Sequence, residues 1–122
     1  MVKILVVDDN INNVMLFRCF LERGNYAVIT AMSGAEAIAT ALEERPDLIL
    51  MDLMMPIMDG FEATAYLKNN PITQHIPIIV LTAEDSSEAY NKAKQAGCDE
   101  YLLKPIRYEL LLRVIEMILQ SG

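Results

Sequence analysis

Polar side chains with complementary chemistry follow four apolar segments of the sequence. Asp8 and Asp9 come directly after the first of these segments, and Asp52 follows another. Thr82 and Lys104 follow two more. Carboxylates that are held together repel one another, and their ordinary use is to bind a hard cation such as Mg²⁺. The three carboxylates, the hydroxyl and the ammonium are therefore a candidate set for metal-assisted chemistry on an anionic group.

A carboxylate at such a site has a second possible use, because it can attack phosphorus and form an acyl phosphate. Phosphoryl transfer depends mainly on positioning and on neutralising charge. Lys104 could pair with one phosphoryl oxygen and Thr82 could donate a hydrogen bond to another, while backbone N–H groups after Asp52 and Thr82 could contact the rest. The Lys104–Pro105 bond is a candidate for a cis peptide that would aim the ammonium inward.

Each of these residues also has a structural explanation when it is taken singly. The acids could cap helices or turns, Thr82 could be an ordinary hydroxyl at the end of a strand, and Lys104 could be a solvated lysine. The functional interpretation is favoured because all of them occupy the same position relative to an apolar run.

The apolar segments are typical of strands that are buried on both faces of a parallel sheet. The strands are predicted at residues 3–7, 26–30, 47–51, 78–81 and 100–103. A helix is predicted after each strand, with Asn10, Ser33 and Asp59 as caps of the first three. The last helix is predicted to begin at Ile106 and to end near Gln120.

Five β/α units predict an α/β, flavodoxin-like fold, a doubly wound parallel five-stranded sheet in the order 2-1-3-4-5. In that order the direction of winding reverses between the first and third strands, and ligands bind outside the carboxyl ends of the strands at this switch point. Asp8, Asp9 and Asp52 follow those two strands. The topology therefore places a binding site where the sequence places its acids.

Composition limits the classes of protein. The chain has 122 residues, enough for one domain with a single core, and 53% of them are apolar, which argues against disorder. A formal net charge of −7 argues against nucleic acid or an anionic membrane as a partner. Cys19 and Cys98 are far apart and are expected to be reduced, which suits a cytoplasmic protein. The apolar runs are too short to predict a transmembrane segment.

The motifs around the candidate residues resemble those of the receiver domain of two-component response regulators. They are Asp8-Asp9, Met51-Asp52-Leu53-Met54-Met55-Pro56, Met58-Asp59-Gly60, Leu81-Thr82-Ala83 and Lys104-Pro105. These motifs occur at the positions where the family has them along the whole chain, so the resemblance covers all of the chain and is highly specific.

The resemblance implies a role for each matching residue. Asp52 would accept a phosphoryl group from a histidine kinase or a histidine phosphotransfer protein. Asp8, Asp9 and Asp52 would bind Mg²⁺, with the main-chain carbonyl of Met54 as a further ligand. Thr82 and Lys104 would contact the phosphoryl group.

The resemblance also implies a conformational switch. Thr82 and Tyr101 match the switch positions of the family, although Tyr101 by itself could simply pack in a strand. The face formed by the fourth helix, fifth strand and fifth helix would bind a downstream protein target, or a second copy of the chain in a homodimer. Because the sequence ends directly after the last predicted helix, we expect one receiver domain over residues 1–122 without an output domain, as in DivK-like and chemotaxis-type receivers.

Two helices have apolar faces broader than packing on one side of a sheet requires. Leu16 and Phe17 in the first helix are candidates for exposed contacts with the phosphodonor, although burial in the core explains them equally well. Leu112 and Leu119 in the last helix are expected to lie on a surplus apolar side that binds a partner. The alternative for the last helix is deeper burial in the core.

Three other functions compete with a phosphorylated receiver. A Mg²⁺-dependent phosphatase or phosphotransferase with an aspartyl nucleophile would use the same chemistry, but the chain has no insertion long enough to form a lid over a substrate. A flavodoxin-type cofactor module would need a glycine-rich phosphate loop where this chain has acids. A contact module on the same fold that is never phosphorylated would not need the full set of acids, hydroxyl and lysine.

Overall fold

The computed structural model describes residues 1–53, 55 and 58–121, in which strands and helices alternate. The strands are β1 (Lys3–Val7), β2 (Ala27–Ala31), β3 (Leu48–Met51), β4 (Ile78–Thr82) and β5 (Glu100–Leu103). The helices are α1 (Ile11–Arg23), α2 (Gly34–Glu44), α3 (Gly60–Asn69), α4 (Ser87–Ala96) and α5 (Tyr108–Ser121). Within the described ranges, every helix is too short or too polar to span a lipid bilayer.

The strands form one parallel sheet in the order β2-β1-β3-β4-β5. This order confirms the predicted α/β flavodoxin-like fold and its switch point between β1 and β3. The predicted strand bounds agree with the structure to within one residue. The last helix begins two residues later than predicted, because its first turn closes with a hydrogen bond from the Leu111 N–H to the Arg107 carbonyl (3.0 Å). Ile106 therefore belongs to the loop that precedes the helix.

The central strands are buried on both faces, as their continuous apolar sequences predict. One face packs mainly against α2 and α3, and its buried residues include Leu5, Val7, Ile49, Met51, Ala37, Ala41, Ala63 and Leu67. The other face packs against α1 and α5, and its buried residues include Ile4, Val6, Leu48, Leu50, Phe17, Leu21, Leu111 and Ile115. A hydrophobic core on each face of the sheet therefore holds β1 and β3 in place, and this positions the residues that follow the two strands.

Polar caps determine where the helices begin. The Asn10 side chain accepts hydrogen bonds from the N–H groups of Asn12 and Asn13 at the start of α1. Asp59 accepts one from the N–H of Glu62 (2.9 Å) at the start of α3. These bonds satisfy backbone donors that have no partner inside the helix. The predicted caps are confirmed, and they orient the loops at the carboxyl edge of the sheet.

Candidate active site at the carboxyl edge of the sheet

The register of the central strands brings the three acids together. Val7 of β1 lies opposite Met51 of β3, so Asp8 and Asp52 leave the sheet side by side. The Asp52 N–H donates a hydrogen bond to the Val7 carbonyl (3.0 Å) and thereby extends the ladder to the site. A carboxylate oxygen from each of Asp8, Asp9 and Asp52 lies within 4.8 Å of the other two.

The acids differ in their contact with solvent. Asp8 is 2% exposed and Asp52 is 9% exposed, whereas Asp9 is open to water. Three carboxylates this close repel one another, and burial strengthens the repulsion because it lowers the local dielectric. A donor set made only of oxygen atoms and open to solvent on one side fits a hydrated hard cation such as Mg²⁺. The residues present therefore suit the metal that the sequence predicts.

Lys104 enters the same site from the end of β5. Its backbone N–H donates to the Thr82 carbonyl (2.8 Å), and its peptide bond to Pro105 is cis, as the sequence suggested. The Lys104 Nζ donates to Asp8 Oδ2 at 2.8 Å. The lysine side chain is only 19% exposed, so water screens this ion pair weakly. The ammonium thus stands among the acids with Asp8 as a partner.

The Asp8 carboxylate accepts two further hydrogen bonds from the start of α1. Its Oδ1 accepts the N–H of Asn10 (2.9 Å), and its Oδ2 accepts the Nδ2 of Asn13 (3.2 Å) as well as Lys104. The sequence pattern gives no signal for Asn13. A capping box uses Glu or Gln at this helix position to accept the backbone N–H of the cap, whereas Asn13 donates to a carboxylate two residues before the cap.

Gly60 is a second residue of the site that the sequence analysis did not single out for function. Its N–H donates to the Leu53 carbonyl (3.0 Å), which docks the start of α3 against the end of β3. A Cβ atom on Gly60 would lie 2.2 Å from the Asp52 carbonyl oxygen and 2.7 Å from the Leu53 Cα. The close approach of α3 to the Asp52 backbone therefore requires glycine.

Thr82 and Tyr101 are connected through the backbone of one loop residue. Thr82 is fully buried, and its Oγ1 accepts the N–H of Glu84 (3.2 Å). The Tyr101 hydroxyl donates to the carbonyl of the same Glu84 (2.6 Å), and the Tyr101 ring meets Tyr90 edge-on at 5.4 Å between centroids. A movement of the loop after β4 would therefore change the contacts of both predicted switch residues.

The Tyr101 hydroxyl also makes a pH dependence testable. Burial, followed by the nearby charges of Glu84 and Asp85, raises the pKa of Tyr101 above its ordinary value of 10.0. A raised pKa favours the protonated folded state, so this contribution to stability is intact below pH 10 and is lost as the pH rises through the folded pKa. We expect the free energy of unfolding to fall less steeply above pH 10 in Tyr101→Phe.

The same variant should lose about 1 kcal/mol at neutral pH, because the hydrogen bond to the Glu84 carbonyl is removed. Urea unfolding between pH 7 and 11 measures both effects. Tyr66→Phe is the control, because Tyr66 is exposed. Equal slopes for wild type and Tyr101→Phe above pH 10 would contradict the expectation.

The remaining predicted residues have mixed outcomes. Met54, whose main-chain carbonyl was predicted to bind the metal, lies outside the described residues. Leu16 is 48% exposed, as expected of a docking residue. For Phe17 the alternative, burial in the core, is correct: its side chain is 6% exposed, because its ring packs in the core beneath α1. Leu16 instead borders an apolar groove that also includes Phe20, Pro105 and Ile106 beside Lys104.

Comparisons with known proteins place this geometry in context. The family model described as the response regulator receiver domain matches residues 4–116. The chain is 38% identical over 113 residues to the polar-differentiation response regulator DivK of Brucella anthropi, which covers 93% of this chain and 92% of DivK.

Two solved structures show the same likeness in three dimensions. Chemotaxis protein CheY4 of Vibrio cholerae has a TM-score of 0.90 and 36% identity over 96% of this chain and 98% of its own. The receiver domain of a sensor histidine kinase from Pseudomonas aeruginosa has a TM-score of 0.91 and 32% identity over 97% of each chain, and its structure contains a magnesium ion coordinated in the active site cleft.

Proposed function

Because this chain belongs to the response regulator receiver domain family, we propose that it works as a phosphorylation switch with Asp52 as the phosphoacceptor. One observation carries the proposal: the nearly buried Asp52 lies at the end of β3 with oxygens of Asp8 and Asp9 within 4.8 Å. Lys104 approaches the same cluster through Asp8. In the proposed function, this arrangement would supply a nucleophile, a cation site and a positive charge that moves to the phosphoryl group.

In the proposed reaction, a carboxylate oxygen of Asp52 forms a bond to phosphorus while the bond from phosphorus to the donor's histidine nitrogen breaks. The donor imidazole keeps the electron pair and is free to take up a proton. Lys104 would leave Asp8 to pair with one phosphoryl oxygen, and the Thr82 hydroxyl would donate a hydrogen bond to another. Both residues thereby offset charge on the transferred group.

Asp8, Asp9 and Asp52 would hold Mg²⁺, with the Met54 carbonyl as a further proposed ligand. The metal supplies positive charge that offsets the repulsion between the carboxylates and the phosphoryl group. The magnesium ion in the Pseudomonas receiver, at 32% identity, supports this assignment. Asp8 and Asp52 directly follow β1 and β3, so the sheet would hold both carboxylates in place for the cation.

We further propose that phosphorylation is read out through the face formed by α4, β5 and α5. Thr82 and Tyr101 share contacts with the Glu84 backbone, so a shift of Thr82 toward the phosphoryl group would alter the tyrosine on that face. Leu103 and Leu110 are 40% and 47% exposed and provide apolar surface for a downstream protein or a second copy of the chain.

The residues of α5 that were expected to form its surplus apolar side are not the most exposed ones. Leu112 and Leu119 are half-buried and pack against the core, whereas Leu110 and Met117 are exposed. The expectation for Leu112 and Leu119 is therefore wrong, because both side chains pack against the core on this side of the sheet, and Leu112 lies beside Gly24 at the end of α1. Substitutions that test partner binding should change Leu110 and Met117.

A histidine kinase or histidine phosphotransfer protein is the proposed donor, and the groove beside Leu16 and Lys104 is its proposed docking surface. We also propose that the chain acts in the cytoplasm as one receiver domain that signals by contact. The match over 92% of DivK supports this organisation. In this role the chain would be a signalling module and not an enzyme.

Replacement of Lys104 by methionine should have opposite effects on two properties. Phosphorylation by phosphoramidate should slow by at least about 10²-fold, as when one donor to a transition-state oxygen is lost. Mg²⁺ should bind about fivefold more tightly, because a positive charge near Asp8 no longer opposes the cation. Stopped-flow phosphorylation and calorimetric titration with Mg²⁺ measure the two effects.

Lys92→Met, an exposed lysine on α4, is the control and should change neither property. If the Lys104→Met variant bound Mg²⁺ more weakly than wild type, or became phosphorylated at the wild-type rate, the proposed role of Lys104 would be wrong.

Intact-mass analysis of the wild-type protein tests the proposed function itself. With Mg²⁺ and phosphoramidate, each chain should gain the mass of one phosphoryl group, and the gain should disappear when EDTA replaces Mg²⁺. A phosphatase would instead release phosphate continuously from para-nitrophenyl phosphate without a stoichiometric adduct. Absence of an adduct from a folded protein would favour the contact module that is never phosphorylated.

A further inference from the structure

Asn13 is the one residue of the α1 first turn whose side chain reaches the acidic site through a hydrogen bond shown among the described residues. Its Nδ2 donates to Asp8 Oδ2 at 3.2 Å, and Lys104 Nζ donates to the same oxygen at 2.8 Å. Its own backbone N–H is held by the Asn10 side chain. The cap of α1 therefore fixes the backbone from which the Asn13 amide reaches Asp8.

The two donors on Asp8 Oδ2 differ in a way that matters for a cation. Lys104 carries a positive charge, which opposes a divalent ion at the same carboxylate. Asn13 is neutral, so it can orient the carboxylate without repelling the ion. A hydrogen bond that orients a metal ligand contributes strongly to metal affinity, because the ligand loses little freedom on binding.

The proposed function also requires Lys104 to leave Asp8. When Lys104 pairs with a phosphoryl group on Asp52, Asp8 Oδ2 keeps the Asn13 amide as a donor, and Asp8 Oδ1 keeps the Asn10 N–H. Asp8 is 2% exposed, so water replaces a lost donor poorly. The carboxylate therefore needs a donor that stays in place through the cycle.

We propose that Asn13 is a positioning residue for the cation site: its amide holds Asp8 in the orientation that binds Mg²⁺ and keeps it there when Lys104 moves to the phosphoryl group. This inference rests on the proposed function for the movement of Lys104. The part that concerns Mg²⁺ affinity stands on the Asn13–Asp8 contact and the cluster of carboxylates.

The test compares Asn13→Ala with Asn12→Ala. Both residues lie in the first turn of α1, and both changes improve intrinsic helix propensity, so loss of helix stability does not explain a difference between them. Asn12 is exposed, and the backbone N–H groups of both residues donate to the Asn10 cap, so neither substitution removes a capping bond. Asn13→Leu is a second variant that keeps the side-chain size and removes the donor.

The readout is the dissociation constant for Mg²⁺ of the unphosphorylated full chain, measured by isothermal titration calorimetry. We expect this dissociation constant to rise about tenfold in Asn13→Ala and Asn13→Leu. This is the low end of the effect of residues that orient a metal ligand, because Asn10 and Lys104 still hold Asp8. Asn12→Ala should match wild type. The thermal unfolding midpoints of all the variants should stay within a few degrees of the wild-type midpoint.

The inference would be overturned if Asn13→Ala bound Mg²⁺ as tightly as Asn12→Ala or more tightly. It would also be overturned if the wild-type protein bound no Mg²⁺. Failure of the proposed function gives a different result: wild type would bind Mg²⁺ with the Asn13 dependence described above but would form no phosphoryl adduct. The binding experiment and the mass experiment therefore distinguish the two.

Discussion

Replacement of Asp52 by asparagine should abolish phosphoryl acceptance and leave the fold intact. The asparagine amide has the shape of the carboxylate but cannot attack phosphorus, and loss of a nucleophile typically lowers a rate by 10⁴-fold or more. The hydrogen bond from the backbone N–H of residue 52 to the Val7 carbonyl does not depend on the side chain. The substitution should therefore leave the sheet intact.

The same substitution should keep or raise stability in the absence of metal. Asp52 lies within 4.8 Å of Asp8 and Asp9 oxygens, so removing its charge relieves repulsion in a site that water screens poorly. We expect the thermal midpoint to stay the same or to rise by a few degrees. Calorimetry with EDTA measures this change, and Mg²⁺ should stabilise the variant less than it stabilises wild type.

Asp85→Asn is a matched control, because it removes an exposed acid from the loop after β4. It should accept a phosphoryl group like wild type. Phosphorylation of Asp52→Asn at a comparable rate would mean that another residue is the acceptor, and the proposal for Asp52 would fail.

Replacement of Gly60 by alanine should have the largest effect on structure. The added Cβ would lie 2.2 Å from the Asp52 carbonyl oxygen and 2.7 Å from the Leu53 Cα, and backbone atoms cannot move aside cheaply. Such overpacking costs about 3 kcal/mol, which lowers the thermal midpoint by about 10 °C in a domain of this size. Phosphorylation should slow by about 10²-fold, because the start of α3 displaces Asp52.

Gly24→Ala provides the comparison at a second glycine. Gly24 has an ordinary φ of −86°, and its Cβ would meet the end of the Leu112 side chain at 3.0 Å, which can move. We expect a change of no more than a few degrees and normal phosphorylation. If Gly60→Ala matched Gly24→Ala in both measurements, the close approach of α3 to Asp52 would not constrain the site.

Much of this architecture could be predicted from the sequence, because the determining features are local. A continuous apolar run such as Lys3–Val7 is buried on both faces only in a parallel sheet that is covered by helices on both sides. The positions of the strands could therefore be predicted. Caps such as Asn10 and Asp59 fixed the starts of helices. Since carboxyl ends of parallel strands share one edge, the clustering of Asp8 and Asp52 followed from topology.

Other features depend on contacts between distant segments and could not be predicted. The periodicity of α5 shows which residues are apolar but not which neighbour covers them, so it predicts an exposed Leu112, whereas this residue packs beside Gly24. The periodicity of α1 likewise leaves both exposure and burial open for Phe17, which the structure buries. The Lys104 partner in the described site is Asp8, 96 residues away, and the sequence does not specify which acid a lysine will meet.

The most direct test of the central claim is to locate the phosphoryl group in the wild-type chain. After phosphorylation with phosphoramidate and Mg²⁺, borohydride reduces an aspartyl phosphate to homoserine, and peptide mass spectrometry identifies the changed residue. We expect homoserine at position 52 alone, and only when Mg²⁺ is present. Homoserine at position 8 or 9, or a stable phosphoryl group on another residue with Asp52 unchanged, would contradict it.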